Sequence, residues 1–144
     1  RVSCGVPYLY VPLRSPAIVD RAISDAAGFR RLKALTGIDL PIFLFALSDR
    51  RSAETVYSRM FAPDFGVSED PATGSASGPL GCYLVHHRLV TGEAATRILS
   101  LQGVAMRRPS RIHIDITGQN GNIVAVKVGG TAVLVGRGEL LLAH

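Results

Sequence analysis

Cysteine, methionine and lysine are all scarce in this chain of 144 residues: two Cys, two Met, and only Lys33 and Lys127 among its sixteen basic residues. Cys4 and Cys82 are too few for a disulfide framework and do not form a metal-ligand spacing. With four scattered histidines besides, nothing in the sequence suggests a structural metal, and reduced thiols point to a cytoplasmic protein. No apolar run approaches the roughly 20 residues that span a bilayer, so no membrane association is expected. The chain opens Arg1-Val2-Ser3-Cys4-Gly5, with no initiator Met and no signal-peptide pattern, straight into strand-like sequence.

What is present is a folded composition: 47% hydrophobic and 19% charged residues, enough for one domain spanning residues 1–144 with a single core. The net charge of +5 comes almost entirely from arginine, in small clusters at Arg30-Arg31, Arg50-Arg51 and Arg107-Arg108. No aromatics interleave with these clusters and no nucleic-acid motif accompanies them. Only the high pI favours nucleic-acid binding; solvated surface, with one arginine near an anionic substrate, is the preferred reading. Arg59 and Arg108 are the arginines considered for that contact, against ordinary surface or cap contacts.

Periodicity sketches the elements. Val2 to Leu13 reads as a buried strand, limited by Pro7 and Pro12. Ser15-Pro16 is an N-cap followed by proline at the first helical position, with Ile18, Ala22 and Ile23 as a short apolar face. Phe29, Leu32 and Leu35 recur at helical spacing up to a stop at Gly37. Pro41 to Leu47 and Thr55 to Phe61 read as strands, and Ala62 to Thr73 as a loop. A helix from about Gly74 to Leu89 is so poor in charge that it must be buried on most sides, with Pro79 tolerated in its first turns. On it, Cys82 reads as a small core residue, and His86-His87 as packing or helix-end residues. Ile112, Ile114 and Ile116 alternate with the solvated His113 and Asp115, and Asn120-Gly121 marks a hairpin. Further strands are expected over 123–128, 131–135 and 140–142. The fold class is α+β: a curled mixed or antiparallel sheet wrapped around a central buried helix.

The segment that carries chemistry is Glu69-Asp70-Pro71-Ala72-Thr73-Gly74-Ser75-Ala76-Ser77-Gly78. It joins two carboxylates to a glycine turn at the start of the buried helix. The first amides of a helix lack internal partners and, with the dipole, suit an anion. Gly74 permits close approach, Ser75 adds a hydroxyl, and Asp70 could bind a substrate or move a proton. The same residues also suit ordinary capping, so composition alone leaves a ligand site and a capped helix both open. The segment is neither a Walker P-loop nor a dinucleotide fingerprint.

Met60-Phe61-Ala62-Pro63, the Glu69–Ala76 block, Gly78-Pro79-Leu80, Gln102-Gly103, Arg108-Pro109-Ser110 and Gly129-Gly130-Thr131-Ala132-Val133 occur in an order that resembles the second domain of phenazine-biosynthesis PhzF-like proteins. Gly5-Val6-Pro7-Tyr8-Leu9 and Val11-Pro12-Leu13 resemble that domain's start. The resemblance covers essentially the whole chain, and the Glu-Asp-Pro-Ala-Thr-Gly-Ser block is its most specific part. It implies the diaminopimelate-epimerase architecture: two similar domains, each a curled sheet around a helix, with the active site between them. This chain would be the C-terminal half, with the N-terminal domain absent.

The resemblance further implies a cofactor-independent isomerase, without metal or organic cofactor, acting on a small carboxylate-bearing substrate. In the phenazine members that substrate is a dihydro-hydroxyanthranilate. Asp70 and Ser75 would be catalytic, and Thr73, Gly74 and Ala76 would bind substrate. The principal acid–base Glu of the family lies in the first domain. Glu69 cannot replace it, being on the same domain as Asp70, so this chain alone is expected to be inactive. The alternative is a non-catalytic domain that keeps the fold and binds a small molecule or a partner. Relatives that use a cysteine pair place it in turns unlike those of Cys4 and Cys82, which disfavours a two-thiol mechanism. The family often has Gly where this chain has Arg107. A homodimer is a possible assembly, on family precedent and on the apolar surface that a lone half would expose.

Overall fold

A computed structural model describes residues 2–49 and 51–141; Arg1, Arg50 and Leu142–His144 lie outside the described residues. Among the described residues, eight strands form one mixed sheet: β1 (Val2–Ser3), β2 (Pro7–Pro12), β3 (Ile42–Leu47), β4 (Val56–Ala62), β5 (Val67–Asp70), β6 (Arg97–Gln102), β7 (Ser110–Gln119) and β8 (Asn122–Gly129). The helices are α1 (Pro16–Asp20), α2 (Ala26–Thr36) and α3 (Gly74–His86). The strand order is β1-β2-β3-β4-β6-β7-β8, with β5 on β4. β2–β3 and β4–β6 are parallel pairs, and the remaining pairs are antiparallel.

The sheet curls because α3 packs against both of its ends, β1 and β2 on one side and β7 and β8 on the other. A Cβ added at Gly78 would lie 3.4 Å from Val128 on β8 and 4.0 Å from the Cys4 sulfur just after β1, so one helical residue faces both ends. Close approach explains the small residues of this helix: a Cβ at Gly81 would come within 2.7 Å of Ile114. Leu80 and Leu84 of α3 then meet Phe43, Phe45, Val56, Ile98 and Ile114 in the main core. Each such side chain contributes roughly 1.5–3 kcal/mol on burial.

Several expectations change in detail. The first strand is broken at Cys4–Val6, and α3 ends at His86 instead of Leu89. α1 ends at Asp20 and buries Val19; Ala22 and Ile23 lie past its end, with Ile23 89% exposed. Gly37 terminates α2 in the left-handed region, as its position suggested. The segment read as a loop over 62–73 contains β5, a short strand with no alternation of its own. No strand forms over 131–135 or at 140–141, where Val133, Val135, Leu140 and Leu141 are exposed; residue 142 of that expected strand lies outside the described residues. Cys82 is half-buried with the Cys4 thiol beside it, and burial pushes its own thiol up from the ordinary range. His86 and His87 are exposed at the helix end, with the His87 ring 4.3 Å from that of Tyr83. No helix among the described residues is long and apolar enough to cross a membrane.

Candidate active site

The site forms where β4 changes partners. Along one edge β4 pairs first with β6, Ser58 opposite Gln102, and then with β5, Met60 opposite Asp70. The ends of β5 and β6 therefore meet beside the start of α3. Between those two positions Arg59 turns the other way, its side chain only 8% exposed and its guanidinium doubly bonded at 2.8 Å to Glu69. Arg59 also donates to the carbonyls of Val19, Asp20 and Ala22 at the end of α1, and it lies 4.8 Å over the Phe61 ring. Glu69 and Arg59 thus hold the strand in place, and neither is free to meet a ligand.

Asp70, the last residue of β5, is half-buried. Its Oδ2 accepts from the Thr73 hydroxyl at 2.7 Å. Thr73 is the N-cap of α3, yet its side chain makes no cap hydrogen bond to the helix. Its own amide donates to Gln102 Oε1, and the Ala76 and Ser77 amides donate back to its carbonyl. Among the described residues nothing accepts from the amides of Gly74 and Ser75, which are both exposed. The capped-helix alternative is therefore incomplete: the Thr73 oxygen that could have accepted a helix-start amide accepts from Gln102 instead, and its proton goes to Asp70. The first two helical amides remain open as donors for an anion.

Two tyrosines of β2 fasten the other side. Tyr8 and Ser75 share a 2.8 Å hydrogen bond between hydroxyls, and the Tyr10 hydroxyl donates to the Ala76 carbonyl at 2.6 Å. Burial pushes the Tyr10 phenol well up from its ordinary range, so it stays a neutral donor. Ala76 itself is buried, and what it offers is the backbone that shapes the turn.

A cleft of about 470 Å³ opens at this helix start. Gly74 and Ala72 form one wall, Pro109, Ser110 and Arg111 another, and Gly129, Gly130 and Thr131 a third. Three motifs far apart in sequence thus surround one space. Arg111, 62% exposed and only 3.4 Å from Glu54 in a loose ion pair, is the cation on its rim. Neither Arg59 nor Arg108, the arginines considered from the sequence, lines the cleft. Arg111, Tyr8 and Gln102 were missed as site residues; Gln102 carried a signal, since a polar residue adjoins a glycine there in an otherwise strand-like run.

Residues 2–138 match the family described as phenazine biosynthesis-like protein. The chain belongs to that family. It is 32% identical over 141 residues to the uncharacterized isomerase YddE of Escherichia coli K12, covering 95% of this chain and 46% of the relative. It is 41% identical over 104 residues to the trans-2,3-dihydro-3-hydroxyanthranilate isomerase of Pseudomonas chlororaphis, covering 72% of this chain and 35% of that enzyme. Among solved structures, a predicted epimerase from Pseudomonas aeruginosa matches with a TM-score of 0.56 at 30% identity, over 95% of this chain and 45% of that one. A PhzF-family protein from Bacillus anthracis shares the fold, with a TM-score of 0.67 over 91% of this chain and 47% of that one at 22% identity. The chain spans about half the length, or less, of the relatives it matches.

Within that family frame, Arg107 has a structural reading. It adopts a φ of 57°, in the left-handed region that favours glycine. Its side chain is exposed and does not line the cleft.

Proposed function

We propose that this chain supplies one wall of an isomerase active site that moves a proton on a small carboxylate-bearing substrate, of the dihydro-hydroxyanthranilate type. The observation that carries the reading is the pairing of a half-buried carboxylate, Asp70, bonded to the N-cap Thr73, with the two open amides of Gly74 and Ser75 that follow it; of these residues Gly74 lines the cleft, and Asp70 and Ser75 do not. The amides of Gly74 and Ser75 suit a substrate carboxylate, or negative charge that develops during proton transfer. Among the described residues the Asp70 carboxylate engages only Oδ2, which leaves Oδ1 to bind a substrate amine or hydroxyl or to share the proton. Ser75 is oriented by Tyr8 and can donate or accept at the same place. The opposite wall, with the principal acid–base Glu, comes from an N-terminal domain of similar build.

The relatives support this reading through their activity as isomerases, one of which acts on trans-2,3-dihydro-3-hydroxyanthranilate. The test is to incubate the full-length protein with that compound in D₂O and follow it by proton NMR. Isomerisation with solvent deuterium entering the product supports the reading. Unchanged compound, with no deuterium exchanged, contradicts it for this substrate type.

A further inference from the structure

A carboxylate that handles a proton must be held in one orientation, and misplacement by about 1 Å can lower turnover by about 10²-fold. Asp70 sits at a strand end on a half-exposed turn, where its own backbone does not fix its side chain. What fixes it lies behind it, out of reach of any substrate. Gln102, the last residue of β6, is 0% exposed. Its Oε1 accepts from the Thr73 amide at 3.2 Å. Its Nε2 donates to the Asp70 carbonyl at 2.7 Å and to the Thr73 hydroxyl at 2.9 Å.

The direction of this chain of bonds matters. A threonine hydroxyl has one proton to give. Because Gln102 donates to Thr73 Oγ1, that oxygen acts there as an acceptor, and its proton is free to point at Asp70 Oδ2. A side-chain amide buried only to satisfy the backbone would end on backbone groups. This relay ends on the Asp70 carboxylate, three residues before the N-cap of α3. Gly103 supports it from below: it has no Cβ because the Pro71 carbonyl occupies that space.

We infer that Gln102 and Thr73 are positioning residues that hold the Asp70 carboxylate in one orientation, Gln102 by orienting the Thr73 hydroxyl and Thr73 by donating to Oδ2. The catalytic consequence rests on the isomerase reading of Asp70; the positioning itself does not. Thr73 on this view acts through Asp70 and does not touch substrate, in keeping with its 4% exposure.

The test uses the full-length protein with trans-2,3-dihydro-3-hydroxyanthranilate as probe. Thr73→Val keeps the shape and removes the hydroxyl. It is expected to lower kcat by about ten- to a hundredfold while KM moves by less than about threefold. Thr73→Ser restores the hydroxyl and is expected to return kcat to within about threefold of wild type. Gln102→Met is expected to lower kcat as Thr73→Val does. The double variant should be no slower than the worse single one, because both act on the same bond. If Gln102→Met does not fold, the threonine pair alone decides. Full activity in Thr73→Val, or failure of Thr73→Ser to restore it, overturns the inference. A second readout needs no substrate: a ligand-free crystal structure of Thr73→Val should show the Asp70 carboxylate turned away from its wild-type orientation. A carboxylate still in place overturns the positioning role. An inactive wild type would instead count against the isomerase reading, and the crystal structures alone would then decide whether Asp70 is positioned this way.

Discussion

Replacing Gly103 by alanine tests how the loop after β6 supports the turn from Asp70 to Thr73. A Cβ at this position would sit 2.4 Å from the Arg108 carbonyl oxygen and 2.7 Å from that of Pro71, both below the 3.0 Å that real Cβ contacts respect. Both are backbone atoms, so neither can swing aside as a flexible side-chain end would. Gly103 also has a φ of +78°, where an L-residue is disfavoured by about 1–2 kcal/mol. Forced overpacking adds about 1–3 kcal/mol. The stiffer unfolded chain returns about 0.4–1 kcal/mol. The net expectation for Gly103→Ala is a loss of about 1–5 kcal/mol, centred near 3 kcal/mol, against the roughly 5–15 kcal/mol that stabilises a typical domain. Gly81→Ala provides the contrast. There the near atoms are the Ile114 and Ile116 side chains at 2.7 and 3.0 Å, and the residue is helical, so alanine gains about 1 kcal/mol of helix propensity. With overpacking of about 1–3 kcal/mol against that gain, its loss should be about 0–2 kcal/mol. Urea unfolding of both variants measures the difference. If Gly103→Ala loses less than Gly81→Ala, the close backbone approach beneath Asp70 is not what the structure indicates.

Two further predictions concern neighbouring features. Glu69→Gln removes the carboxylate paired with a nearly buried Arg59, and the protein should lose about 3 kcal/mol in denaturant unfolding. Replacing both partners by apolar residues, Arg59→Met with Glu69→Leu, should recover at least half of that; no recovery would show that the arginine's bonds to the α1 carbonyls matter more than the pair. Arg107→Gly relieves a left-handed φ at an exposed position and should raise stability by about 0.5–1 kcal/mol, read as a higher melting temperature with unchanged turnover.

The features legible in the sequence were those with a local cause. The low charge of 74–86 announced a buried helix, Asn120-Gly121 its hairpin, and Gly37 the end of α2. What escaped depended on partners distant in sequence. β6 buries Ile98, Ser100 and Gln102 while Leu99 and Leu101 are only half-buried, so its hydrophobic alternation points to the wrong face. Ser100 lies inward because it meets the Ser58 hydroxyl, and Gln102 because it meets Asp70 and Thr73. β5 is short and is held through its pairing with β4. Val133 to Val135 read as a strand on side-chain type alone, but a strand also needs an edge to pair with, and none of the described residues supplies one there. The candidate site was legible as a motif, from Asp70 to Ala76. Its supports at Tyr8, Gln102 and Arg111 arrive from β2, β6 and β7 only through the curl of the sheet.

The reading of Asp70 as a group that handles the substrate is tested most directly by Asp70→Asn in the full-length protein, with turnover of trans-2,3-dihydro-3-hydroxyanthranilate and unfolding free energy measured side by side. Asparagine keeps the shape and can still accept from the Thr73 hydroxyl, but it carries no charge and takes up no proton. Turnover should fall by about 10²-fold or more while stability changes by less than about 1 kcal/mol. Turnover that is unchanged, in a variant that is equally stable, would contradict a catalytic role for Asp70.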